Sequence, residues 1–253
     1  MQMTFEVLNG RSYSEPQIFG PLLWFLLHTT AAKVPERLNT TQQGSLMTFL
    51  RNFPVMIPCQ VCREHAFTNL KRTLGTCRLS TKEDVFRFIW SFHNKVNSQV
   101  ANRPFTLAKA KQMYGFNCFQ RSSIRNMNTG KVTFQPLISQ TGYGPVFSLS
   151  LLIAAVFYPE NPTVFTQNMM SKVIQNLGWM IPNPSDKEKA LTFLSLQNVT
   201  LAVSHRDLLF DLFFRLVQHL FQTTLFRSLE EAKHLLNFFS FGHGQVKAVK
   251  YFS

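Results

Sequence analysis

The residue types best suited to chemistry stand close together in Cys59-Gln60-Val61-Cys62, two thiols separated by two residues. That spacing closes a small disulfide loop, and Pro58 just before it is acceptable at the first turn of a helix. At a helix N-terminus the unpaired backbone N–H groups and the helix dipole favour a thiolate, so the pair points to thiol–disulfide exchange. The same pair is half of a zinc site, which His65 and Cys77 would complete as a Cys3His set. A thioredoxin-like setting is disfavoured, because the βαβ pattern that surrounds such a pair is missing. Downstream, His93, Asn94 and Asn97 lie on neighbouring parts of one helix turn and can present imidazole and amide groups to one planar, polar ligand edge.

These groups need helices to position them. Apolar residues at helical spacing run from Ile18 to Val34, and Pro35 ends the segment. Thr40 or Thr41 caps a second helix carrying Leu46, Phe49, Leu50 and Phe53, which stops at Pro54. A third runs from Cys59 to about Leu70, and Ser80 or Thr81 with Glu83 and Asp84 opens a fourth that reaches Val100 before Pro104 breaks it. A short fifth spans Leu107 to Tyr114. No segment sustains strand alternation, so the expected fold is all-α.

The composition is compatible with this. Of 253 residues 45% are hydrophobic, 26 are Phe and 15% are charged, which is ample apolar surface for a core. Met1 to Pro16 lacks the apolar segment of a secretion signal, and the longest apolar run, Val146 to Tyr158, is shorter than the roughly 20 residues a membrane helix needs. It reads as a buried helix, and no membrane partner is expected. The net charge of +13 is scattered and accompanied by no nucleic-acid motif, so no specific nucleic-acid partner is expected.

The second half repeats the first. An offset of 124 residues places Gly20-Pro21 on Gly144-Pro145, Pro35-Glu36 on Pro159-Glu160 and Met56-Ile57-Pro58 on Met180-Ile181-Pro182. About 18 of the 79 positions from Gly20 to Ser98 are identical at this offset, where chance gives about 5. A two-residue deletion then brings Leu107–Lys111 onto Leu229–Lys233. The copy has lost the reactive groups: Asn183 and Asp186 stand for Cys59 and Cys62, and Ser148, Leu152, Val217 and Phe221 for Trp24, His28, His93 and Asn97. The expected domains are therefore 1–120, catalytic, and 121–253, degenerate.

Three motifs in order carry a resemblance. Gly20-x-x-x-Trp24-x-x-x-His28-Thr29-x-Ala31, Pro58-Cys59-x-x-Cys62-Arg63-x-His65 and His93-Asn94-x-Val96-Asn97 resemble the signature of the Erv/ALR sulfhydryl oxidases over roughly Ile18 to Tyr114. The resemblance implies a four-helix bundle with a short fifth helix, holding FAD noncovalently through Trp24, His28, Trp90, His93, Asn94, Val96 and Asn97. Arg103 and Lys95 have the charge to meet the pyrophosphate, and Tyr114 offers an aromatic face to the adenine or to ordinary packing. The implied activity is disulfide formation in protein dithiols or a thioredoxin-like relay protein. Cys59 is the exchange partner, Cys62 the cysteine nearer the flavin, and oxygen the acceptor, giving hydrogen peroxide. A non-enzymatic helical binding protein with a structural or zinc-bound pair is the alternative.

The sequence departs from the family in having Pro21 where Gly-Arg is common, a compressed Arg103-Pro104-Phe105 segment, and no evident cysteine pair to tie down the fifth helix. Cys77 and Cys118 are candidates for an unfamiliar pairing. Family members often dimerise through their first two helices, and quiescin-type oxidases set a degenerate domain beside an active one. The resemblance thus implies an intramolecular pseudo-dimer, with Leu149, Leu152, Ile153 and Val156 packing in the second copy or at the junction, and leaves room for a further homodimer. A viral origin, with work in the infected cell's cytoplasm or nucleus or in the virion, is the expected setting.

Overall fold

The computed structural model describes residues 13–100, 102–116, 143–221, 226–236 and 238. Among these there is no β-strand beyond a single bridge between Arg37 and Thr81; everything else regular is helix. In the first half α1 is Pro16–Ala31, α2 Thr40–Asn52, α3 Gln60–Leu74, α4 Lys82–Gln99 and α5 Leu107–Met113. In the second half α6 is Gly144–Val156, α7 Val164–Gln175, α8 Pro184–Ser195, α9 Val199–Ala202, α10 Arg206–Leu220 and α11 Leu229–Leu235. The proposed boundary near residue 120 and Cys118 lie outside the described residues.

Local chemistry fixes the helix starts. Asn39 and Thr81 form reciprocal capping boxes with Gln42 and Asp84, and Thr106 caps α5. The apolar connector after α2 is a 3-10 turn, Phe53–Met56, since Pro54 cannot continue the α-helical hydrogen-bond ladder. Helix α1 starts at Pro16, upstream of Ile18, and tolerates Pro21 inside it; α3 continues past Leu70 to Leu74. The β-bridge, with Leu38 N–H donating to Ser80 at 2.9 Å and Lys82 N–H to Glu36 at 3.2 Å, moors the α1–α2 link to the start of α4.

The elements recur as the sequence does. At the offset of 124, α2, the 3-10 turn and α4 map onto α7, a second 3-10 turn at Leu177–Met180 and α10. Asn183 caps α8 from the position of Cys59. A side-chain cluster recurs too. Phe116 lies under Lys82 and Lys111, 4.8 and 4.5 Å from its ring centre, against Phe86, while Lys111 pairs with Glu83 at 2.6 Å. Phe238 lies under Arg206 and Lys233, 4.6 and 5.2 Å away, against Phe210, while Lys233 pairs with Asp207 at 3.1 Å.

The halves meet through matching helices: α1 packs on α6, α2 on α7, and each 3-10 turn on the opposite half. Leu149, Leu152, Ile153 and Val156 are all buried, as is nearly all of α6. Ser45 of α2 crosses the junction, donating its hydroxyl to Asn176 Oδ1 at 2.6 Å and accepting from Trp179 Nε1 at 2.9 Å. Ser45→Ala is expected to cost about 1 kcal/mol, the usual net value of such a contact. In a double-mutant cycle with Trp179→Phe, read by denaturant unfolding, the two changes should be less than additive; strict additivity would mean that Ser45 and Trp179 do not interact.

Candidate functional site

Two features of the first half carry the chemistry, the cysteine pair and a buried aromatic cluster. Cys59 is the N-cap of α3 and is joined to Cys62 in a disulfide, with Cα atoms 5.2 Å apart. Cys59 Sγ accepts the backbone N–H of Cys62 at 3.2 Å, so one of the unpaired donors of the helix start already points at sulfur. Arg63 fastens the approach: its Nε and Nη2 both donate to Ile57 O, at 3.0 and 2.8 Å, which fixes the turn through Pro58. Its charge also reaches Tyr158 of the second half, whose phenol is nevertheless pushed up by burial. Both cysteines are half-buried, whereas Val61 between them is 59% exposed. Cys77 is also half-buried and free, with burial pushing its thiol up.

The cluster is built by α1, α4 and the chain entering and leaving α5. Trp24 and His28 lie four residues apart, hence on one face of α1. Trp24 stacks on His93 with ring centres 4.1 Å apart, and His28 stacks on Tyr114 at 4.3 Å. His28 Nε2 and His93 Nδ1 share a hydrogen bond of 3.1 Å, whose donor depends on the tautomers. Burial, and for His28 also the neighbouring His93, hold both imidazoles well below the ordinary histidine range, His93 at about 3, so both are neutral at pH 7. His28 Nδ1 and Tyr114 Oη are buried without a hydrogen-bond partner. Such atoms cost free energy unless something supplies the missing partner.

The structure brings Trp24, His28 and His93 together and turns the polar ends of Trp90 and Asn94 to Phe105. Trp90 Nε1 and Asn94 Nδ2 both donate to Phe105 O at 2.8 Å, and Asn94 Oδ1 accepts Phe105 N–H at 3.0 Å. Their polar edges hold the Phe105 segment, whose ring faces His93 at 5.0 Å and His28 at 6.2 Å. Phe105 was absent from the expected site; its one sequence signal is its place after the helix-breaking Pro104. Val96 and Asn97 lie half-buried near the end of α4, and Asn97 O accepts the N–H groups of Val100 and Asn102. Arg103 is exposed and Lys95 half-buried. Among the described residues no group of three or more His, Cys, Asp or Glu is arranged to hold a metal ion.

The matching place in the second half is closed. Phe221, standing for Asn97, lies so near Gly144 that a Cβ there would meet its ring at 3.1 Å, and Tyr143 and Phe147 pack on the same ring. Tyr143 donates to Asp186, the residue in the place of Cys62, at 2.6 Å.

A disulfide capping one helix and, in the same all-helical half, a buried aromatic and imidazole cluster are features that a helical thiol-redox protein would use. Residues 21–115 match the model of the Erv1 / Alr family. The 088R protein of frog virus 3 (isolate Goorha), provisionally named an FAD-linked sulfhydryl oxidase, is 33% identical over 105 residues, 40% of this chain and 69% of that protein. The FAD-linked sulfhydryl oxidase of African swine fever virus (isolate Pig/Kenya/KEN-50/1950) is 28% identical over 116 residues, 46% of this chain and 92% of that protein. The mitochondrial FAD-linked sulfhydryl oxidase erv1 of Schizosaccharomyces pombe is 30% identical over 86 residues, 34% of this chain and 47% of that protein. No solved structure gives a significant match. The chain belongs to the Erv1 / Alr family.

The imidazole pair makes stability depend on pH. Each histidine is protonated in the unfolded chain below its ordinary pKa of 6.5 but resists protonation when folded. The unfolded state therefore binds more protons as pH falls below 6.5, so stability is lost as pH drops through that range, for His93 down to its folded value of about 3. Melting temperatures measured from pH 7 to 5 should fall, and the fall should flatten in His28→Leu/His93→Val, which installs the residues found at Leu152 and Val217. An equal fall in the variant would assign the acid sensitivity to other groups.

Proposed function

We infer that this chain is an FAD-dependent sulfhydryl oxidase whose redox pair is Cys59–Cys62. The observation that carries the reading is that disulfide, set as the cap of α3 in a member of the Erv1 / Alr family. The chemistry of the cluster suits a flavin nucleotide: its stacked aromatic and imidazole rings match a planar ring system, and His28 Nδ1 and Tyr114 Oη are buried polar atoms in want of partners. Trp24, His28, Trp90, His93, Val96 and Asn97 would hold it, Asn94 would act by fixing Phe105, and Arg103 would meet the phosphates from the exposed side. When bound, FAD supplies two-electron acceptor chemistry to the reduced pair, with Cys62 the facing thiol and oxygen the final acceptor, giving hydrogen peroxide.

The protein's own residues carry out the exchange. A substrate thiolate attacks Cys59 Sγ; the Cys59–Cys62 bond breaks, a mixed disulfide forms, and Cys62 leaves as a thiolate stabilised by the N-terminus of α3. A second substrate thiolate attacks the substrate sulfur of that mixed disulfide, releasing the oxidised substrate and leaving both cysteines reduced. The two protons lost by the substrate balance those taken up by the pair. Substrates of this chemistry are protein dithiols or a thioredoxin-like relay protein. Purified protein should be yellow and should release FAD on denaturation, and Cys62→Ser should abolish peroxide production from a dithiol. Full turnover in that variant would refute the assignment.

We further propose that residues 121–253 are a degenerate copy of the oxidase domain, packed on it as an intramolecular pseudo-dimer. The recurring elements and the repeated Phe116 and Phe238 clusters support the duplication, and the packing of α1 and α2 on α6 and α7 supports the pairing. Covalent linkage keeps the partner at high effective concentration. Expressed alone, Met1 to Arg121 should aggregate, retain FAD weakly or form a new homodimer, seen by light scattering and FAD release. A stable, active, monomeric fragment would overturn the pseudo-dimer.

A further inference from the structure

The cation-flanked Phe116 lies two residues beyond Tyr114, and Tyr114 forms one wall of the aromatic cluster through its stack on His28. Helix α5 is short, Leu107–Met113, and has a single fully buried side chain, Ala110, so little of its own surface holds it to the bundle. Its C-terminal end is held instead by side chains of α4 together with its own Lys111. Lys82, paired with Glu36 at 3.0 Å, and Lys111, paired with Glu83 at 2.6 Å, sit over the Phe116 ring. Phe86 meets that ring at 4.9 Å and His28 at 5.5 Å, so one aromatic side chain touches both the clamp and the cluster. Burial alone would raise the Glu83 carboxyl, but hydrogen bonds from Lys111 and Arg87 outweigh it and hold the group below its ordinary value, ionised and able to keep Lys111 in place.

We propose that Phe116, Lys82, Lys111 and Glu83 form a clamp that positions Tyr114 over His28 and thereby sets how fast the flavin nucleotide leaves its pocket. The proposal rests on the reading of the Trp24, His28, His93 and Tyr114 cluster as the FAD site. The second half supplies an internal control, because the same clamp is built there from Phe238, Arg206, Lys233 and Asp207. The residue it holds in the place of Tyr114 is Leu236, fully buried, and the residue in the place of His28 is Leu152. The clamp outlived the loss of the polar cluster in that half, so by itself it fastens a helix; only where it holds Tyr114 does it bear on a ligand. Phe116, Lys82, Lys111 and Glu83 are thus positioning residues.

The test measures FAD dissociation from the purified full-length holoprotein by recovery of flavin fluorescence, together with the melting temperature. Phe116→Leu and Lys111→Met, which remove the ring face and the cation but keep apolar bulk, should each speed release by about fivefold, the effect of losing one partly buried cation–π contact. Phe116→Tyr, which keeps the face, should stay within about twofold of the parent. Phe238→Leu should lower the melting temperature and leave the release rate unchanged. Unchanged release in both Phe116→Leu and Lys111→Met, or equal acceleration by Phe238→Leu, would overturn the clamp's positioning role. Tyr114→Leu separates the two levels of the argument: faster release there with no effect at Phe116 or Lys111 defeats the clamp alone, whereas unchanged release defeats the pocket reading and the clamp with it.

Discussion

Helix α1 has little solvent face, and most of the molecule is arranged around that constraint. Ile18, Phe19, Leu22, Leu23, Leu26, Leu27 and Ala31 are all buried, and they cover more of the helix circumference than the single stripe of an ordinary surface helix. One side of α1 packs on α4 and the other on α6. Each leucine left exposed would forgo about 1.5–3 kcal/mol of burial, so a bundle of α1 to α5 without a second layer would carry an apolar surface large enough to drive association. Helix α6, buried over nearly its whole length, has the same requirement from the other side. The two helices answer each other's need.

That tight apolar setting makes the polar residues of the first half informative. A buried imidazole pair such as His28 and His93 is tolerated because the two rings share a hydrogen bond and both stay neutral, each stacked on an aromatic partner. The arrangement still leaves His28 Nδ1 and Tyr114 Oη without partners, an energetic defect at the centre of the domain. At the matching positions of the second half stand Leu152, Val217 and Leu236, and Phe221 closes on Gly144. A polar core in the first half with hydrocarbon at the matching positions of the second is consistent with the ligand-binding role proposed for the first half.

Much of this was legible in the sequence because it depends on local rules. Caps at Asn39, Thr81 and Thr106, the stop at Pro54 and the 124-residue recurrence are written in residue types and spacing, and the helix borders follow within a few residues. The roles of Trp90 and Asn94 were not legible: spacing put them on the right helix, but their polar ends turn to Phe105, eleven or more residues away, through contacts that only the packed chain defines. The clamp around Phe116 was invisible for the same reason, since it gathers residues from the start of α4, the end of α5 and the turn after α5. Side-chain hydrogen bonds to backbone and cation–π contacts leave no periodic trace.

A redox disulfide must open and close while its helix start stays fixed, which demands a rigid surround in which the sulfur atoms remain partly accessible. Helix α3 meets that demand by being held at its base: Arg63 ties it to Ile57, and the turn from Phe53 to Met56 packs on both α6 and α7 of the other half. In the second half, Asn183 caps α8 with its side-chain oxygen on the N–H groups of Ser185 and Asp186, a cap that needs no redox change to hold the helix. Both helix starts are thus capped, one by the Cys59 sulfur, proposed as part of the redox pair, and one by the Asn183 amide. The second half lies against the turn that delivers Cys59 to its helix.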